Sequence, residues 1–134
     1  MNLLLDTHIF LWLNQAPEKL PKSILELCED SSNTLFLSHV SPWEIQIKHQ
    51  LGKLQLDVPL ETMITTQQQD NNLQLLAITL PHIYALSTLP NHHNDPFDRL
   101  LIAQAKTESM LLITLDSKIK MYPVMTCSDR KSVV

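Results

Sequence analysis

Glycine is almost missing from this chain: Gly52 is the only one in 134 residues. That excludes the phosphate-binding P-loop and the dinucleotide fingerprint, which both need several glycines where backbone approaches phosphate. If such a chain handles phosphate, it does so with side chains or metal. Cysteine is scarce as well. Cys28 and Cys127 have neither CxxC nor Cys/His metal spacing and read as unpaired thiols of a reducing compartment. No run approaches the roughly 18 apolar residues a membrane helix needs. Met1–Leu13 lacks the basic start of a signal peptide, and Asp6 and His8 interrupt its apolar stretch. The expectation is a cytoplasmic protein with no membrane partner. Positive charge is also in short supply, with 10 Lys plus Arg against 14 Asp plus Glu, a formal charge of −4. That balance argues against simple electrostatic binding to nucleic acid. Aromatics make up 5% of the chain, so its core is mostly aliphatic.

What is present is alternation. Strands are expected at Asn2–Leu5, Thr34–Leu37, Leu73–Ala77, Leu111–Thr114 and Pro123–Thr126. Helices are expected at Thr7–Asn14, Pro21–Asp30, Ser41–Leu51, Leu60–Gln69, Leu80–Thr88 and Asp95–Ser109. Gly52 closes the third helix just past its last turn, and Pro90 closes the fifth. Short, nearly all-apolar strands separated by helices predict one α/β domain over 1–134, with a parallel sheet covered on both faces. Such sheets bind ligands outside the carboxyl ends of their strands, where strand order reverses.

Carboxylates stand at those ends. Asp6 follows "NLLL", and Asp116 follows "LLITL". Glu44 in "SHVSPWEIQIK" and Asp95 and Asp98 in "NDPFDRLLIAQA" fall in first helical turns. Capping accounts for some of these: Ser41 and Glu44 fit a capping box, Asp95 fits an N-cap, and Thr7 could cap the helix after Asp6. A carboxylate ending a buried strand is harder to dismiss, because its desolvation is costly without compensation. Asp6, Glu44, Asp98 and Asp116 are expected at one rim, where they would repel one another. A divalent cation resolves the repulsion, and hard oxygen donors favour Mg²⁺ or Mn²⁺ over Zn²⁺. Setting these four aside leaves ten acids against ten bases, so the whole charge excess could belong to a metal site.

The blocks "LLLDTHIFLW", "SHVSPWEIQIKHQLGKLQL", "LPNHHNDPFDRLLIAQA" and "LLITLDSKIKMY" together resemble the PIN-domain ribonucleases, in particular the VapC-type toxins of toxin–antitoxin pairs. The resemblance covers almost the whole chain. It implies a three-layer α/β/α sandwich with strand order 3-2-1-4-5, one or two Mg²⁺ or Mn²⁺ ions, and cleavage of single-stranded or looped RNA. It also implies a cognate antitoxin and a homodimer. Position by position, Asp6, Glu44, Asp98 and Asp116 match the family's acidic quartet, with Asp95 an extra acid. The tail "SDRKSVV" departs from the pattern, and the basic residues Lys48, Lys53, Arg99, Lys106, Lys118 and Lys120 look scattered.

Among the auxiliary residues, Thr7 could orient a water, although capping is the simpler reading. Arg99 could reach a scissile phosphate or pair with Asp95 four residues back. His92 and His93, in the loop before the Asp95–Ser109 helix, could contact substrate but read first as an exposed loop pair; His8 reads as partly buried, and Trp12, Trp43 and Phe97 as core. Phe10 and "LWL" could contribute to a dimer face. Two other classes compete. A receiver module needs an acidic pair after the first strand and an Asp after the third, where this chain has Ile78 and Thr79; a haloacid-type phosphatase needs Asp-x-Asp, and position 8 is His. A PIN-like fold that only binds is the remaining alternative.

Overall fold

The structure, a computed structural model, describes residues 1–119 and the backbone of residues 126–127. Five strands form one parallel sheet: β1 (Asn2–Leu5), β2 (Thr34–Ser38), β3 (Gln74–Leu76), β4 (Leu111–Ile113) and β5 (Thr126–Cys127). The order is β3-β2-β1-β4-β5, as expected. Leu3 stands opposite Leu35 on one side and Leu111 on the other, so β1 is the central strand. Of the expected strand Pro123–Thr126, all but the Thr126 backbone lies outside the described residues.

Among the described residues, six α-helices connect and cover the strands: α1 (Thr7–Gln15), α2 (Lys22–Glu29), α3 (Val40–Gln50), α4 (Leu60–Asn71), α5 (Leu80–Ala85) and α6 (Pro96–Glu108). Side chains alternate across a strand, and the core divides accordingly. Leu3, Leu5, Leu37 and Ile113 face one way and pack with Phe10 of α1, Ile24 of α2 and Met63 of α4. Leu4 and Leu112 face the other way and pack with Leu101, Ile102 and Ala105 of α6. The result is three layers, helix–sheet–helix. Helix α3 touches both clusters, through Ile45 on the first face and Val40 on the second.

The lack of glycine has a local consequence. Gly52 takes the left-handed conformation after α3, at φ +73°. Two further helix ends need that conformation and take it without glycine: Asn72 after α4 and Ser109 after α6, both at φ 54°. Asn tolerates this region better than most residues.

Several local expectations are corrected. Helix α3 begins at Val40, and Ser41 is not its cap: the Val40 N–H is accepted by the Ser38 hydroxyl, and Glu44 falls beyond the first turn. The expected helix at Leu80–Thr88 ends as α5 at Ala85 and continues as a 3-10 turn over Leu86–Thr88. Trp43 is 56% exposed rather than core, and Phe97, only partly buried, meets it edge to face at 5.1 Å. Phe10 and Leu11 are buried in the core and do not contribute to an outer face.

Candidate metal centre at the switch point

Strand order reverses around β1, with β2 on one side and β4 on the other, and the crevice at their carboxyl ends is where an open α/β sheet holds a ligand. Asp6 sits there. Its N–H continues the ladder by donating to the Ile113 carbonyl at 3.0 Å. Its carboxylate is buried and accepts a 2.6 Å hydrogen bond from the Thr114 hydroxyl, just past β4. Burial drives the Asp6 pKa up; the Thr114 bond and the His8 charge offset part of the rise, and the Glu44 charge adds to it.

The same Thr114 hydroxyl accepts from the Asp116 N–H at 3.0 Å, tying the two acids to one side chain. Asp116 Oδ1 accepts from the N–H groups of Lys118 and Ile119. Asp98 lies in the first turn of α6, which Asp95 caps as expected by accepting from the N–H groups of Phe97 and Asp98. The Asp98 carboxyl is pushed up to about 7, first by burial and then by the Asp6 charge. His93 works against the rise through a hydrogen bond, while Asp95 and Glu44 add to it.

Glu44 is 2% exposed. One oxygen pairs with Lys48 a turn later, and Oε1 has no hydrogen-bond partner among the described residues. Partial burial pulls the Lys48 pKa down, but the Glu44 bond and the charges of Glu44, Asp95 and Asp98 push it up on balance. Three of the acids therefore share one electrostatic environment: Asp6 responds to Glu44, and Asp98 to both. A buried carboxylate oxygen without a donor is costly, and mutually raised carboxylates are what a bound divalent cation would relieve. The donor set fits Mg²⁺ or Mn²⁺.

The tightest cluster differs from the expected quartet. Among the described residues, one donor atom each from His93, Asp98 and Asp116 lie within 4.8 Å of one another. His93 is thus not the exposed loop residue its sequence position suggests; its ring is only 13% exposed, against Asp98. Thr7 is not a cap either: its hydroxyl bonds Ser41 at 2.8 Å, fastening α1 to α3. Arg99 makes contacts that its sequence position did not suggest. It donates to the carbonyls of Pro90, His93 and Leu86, and so holds the loop before α6. His8, expected partly buried, is exposed. Sequence reasoning missed Thr114, Ser41 and His93. Thr114 alone carried a signal, a hydroxyl between a buried strand and an acid.

Replacing Thr114 with Val removes the hydroxyl while keeping the shape. We expect a loss of roughly 1–2 kcal/mol at pH 8, since a buried carboxylate and the Asp116 N–H both lose a partner. Thr114→Ser should behave like the parent in urea denaturation. A loss in Thr114→Ser with none in Thr114→Val would mean that methyl packing, not the hydroxyl, matters.

The architecture and this rim define the chain's class. A family model for the PIN domain matches residues 3–124, and the chain belongs to that family. Among curated relatives, ribonuclease VapC22 of Mycobacterium tuberculosis is 26% identical over 121 residues, covering 89% of this chain and 90% of the relative. Among solved structures, VapBC2 of Rickettsia felis bound to a DNA fragment from their promoter superposes with a TM-score of 0.70 at 17% identity, covering 95% of this chain and 98% of that one. VapBC-1 of nontypeable Haemophilus influenzae superposes at 0.61 with 19% identity, covering 90% and 91%. These last two are likenesses of fold.

Proposed function

We propose that the chain is a Mg²⁺- or Mn²⁺-dependent endoribonuclease that hydrolyses phosphodiester bonds of single-stranded or looped RNA, as the toxin of a toxin–antitoxin pair. One observation carries the reading: buried, mutually destabilising carboxylates meet at the switch point, with Glu44 Oε1 left unpartnered. Asp6, Glu44, Asp98 and Asp116 are the catalytic acids and hold the cation; Asp95 builds the helix end that presents Asp98. A cation held by these acids would supply positive charge to the phosphate and the leaving oxygen and would lower the pKa of a bound water. Thr114 orients the Asp6 carboxylate, and Lys48 fixes one oxygen of Glu44, leaving the other available.

The groove also suits a strand. A cavity of about 250 Å³ opens from Thr7 between α1 and α3, with His8, Lys48 and Lys53 on its wall. Lys48 and Lys53 thus share one wall, and Lys48 pairs with Glu44. The exposed Trp43 ring, next to Glu44 and against Phe97, offers a surface on which an unstacked base can lie.

The relative named a ribonuclease and the VapBC likenesses support an RNA substrate and a cognate antitoxin. Exposed Leu80, Ile83 and Tyr84 on α5 support a homodimer. Among the described residues no helix is long and apolar enough to cross a membrane, which supports a cytoplasmic site of action. A receiver module finds no support, since the residues after β3 are Ala77, Ile78 and Thr79, none of them an acid.

Purified protein should cleave a structured RNA pool with Mg²⁺ or Mn²⁺ and stop when EDTA is added. Full activity in EDTA would refute the mechanism. Sequencing the 5′ ends produced in expressing cells identifies the target.

A further inference from the structure

A cation site read from sequence alone is all oxygen; the structure brings a nitrogen to it. His93 Nε2 lies 2.7 Å from Asp98 Oδ2 and 3.9 Å from Asp116 Oδ2. Adjacent donors on one ion at about 2.1 Å are roughly 3 Å apart, so these separations bracket the spacing a shared ion imposes. The loop carrying His93 is anchored by the α6 residue that follows Asp98: the Arg99 guanidinium donates to Pro90 O at 3.0 Å, Leu86 O at 3.3 Å and His93 O at 3.5 Å. Independently, Glu44, whose charge acts on Asp98, has a buried Oε1 with no hydrogen-bond partner among the described residues.

We infer that His93 Nε2, which shares a proton with Asp98 Oδ2 in this structure, releases that proton to solvent when a cation binds and becomes a donor to the cation held by Asp98 and Asp116, that Arg99 positions it, and that the mixed nitrogen–oxygen set selects Mn²⁺ over Mg²⁺. Mn²⁺ is a hard ion like Mg²⁺ but belongs to the transition series and accepts a nitrogen donor among oxygens, whereas Mg²⁺ demands near-ideal oxygen coordination and keeps its waters. The inference rests on the reading of this rim as a divalent-cation site, and it is independent of which RNA is cut.

The test is metal binding by the whole purified protein. Mn²⁺-loaded protein should show ¹⁴N modulation from a coordinated imidazole in pulsed EPR, and His93→Gln should abolish it. In calorimetric titrations His93→Gln should lower Mn²⁺ affinity about tenfold or more and Mg²⁺ affinity far less. Arg99→Gln should weaken Mn²⁺ binding in the same direction, about tenfold or less, as expected of a group that orients a ligand. Circular dichroism verifies that each variant is folded. Mn²⁺ bound without ¹⁴N coupling, coupling that survives His93→Gln, or equal loss for both metals overturns the role of His93 and leaves the cation site standing. If the parent protein binds neither ion, the cation site falls and the inference with it.

Discussion

Asp6→Asn should abolish RNA cleavage while leaving the protein folded and at least as heat-stable. The expected loss in kcat/KM is about 10³-fold or more, or roughly 4 kcal/mol of transition-state stabilisation. Asp6 ends the central strand and is tied across to Thr114, so every other element of the rim is placed relative to it. Asn keeps the shape and an oxygen that can still accept from Thr114, but it removes the charge that burial disfavours. Activity and stability should therefore move apart. A melting curve and a cleavage time course on one preparation measure both. Parent-level cleavage by Asp6→Asn would place the chemistry elsewhere, and collapse of the fold would show that the carboxylate is structural.

The second large effect concerns pH and metal. Asp98 is pushed up to about 7 in the folded chain, against roughly 3.9 when unfolded. The folded state therefore binds the Asp98 proton more tightly than the unfolded state. Its contribution to stability is fully present below about pH 4 and drains away as pH rises towards 7. Asp6 shifts in the same direction. In metal-free buffer the parent should thus lose stability from pH 5 to pH 8, relative to Asp98→Asn, by an amount on the order of 2–4 kcal/mol. Adding Mn²⁺ at pH 8 should restore stability to the parent and not to Asp98→Asn. At a hundred times Kd the gain is about 2.7 kcal/mol, or several degrees in Tm. A parent protein whose stability is flat from pH 5 to 8 would show that the Asp98 carboxyl is not under strain from its neighbours.

Much of this was legible in the sequence because it depends on short-range pattern. All-apolar strands such as Leu3–Leu5 and Leu111–Ile113 can only be buried on both faces, which makes the sheet parallel and helix-covered. Asp95 before Pro96 is a local cap and was read correctly. Trp43 differs from expectation because aromatic character alone does not place a residue in a core: its ring packs edge to face on the partly buried Phe97 and is otherwise largely exposed. The capping box at Ser41 failed because Ser38 caps the backbone first, freeing the Ser41 hydroxyl for Thr7, 34 residues away.

The sequence by itself determined the layers and the acids at strand and helix starts, since periodicity and end signals act within a few residues. Only the tertiary structure decided which atoms share the site. Thr114 reaches Asp6 across 108 residues, and Arg99 draws the His93 loop against Asp98 and Asp116. Such contacts depend on where the sheet and its loops place side chains in space, and no local spacing along the chain encodes that.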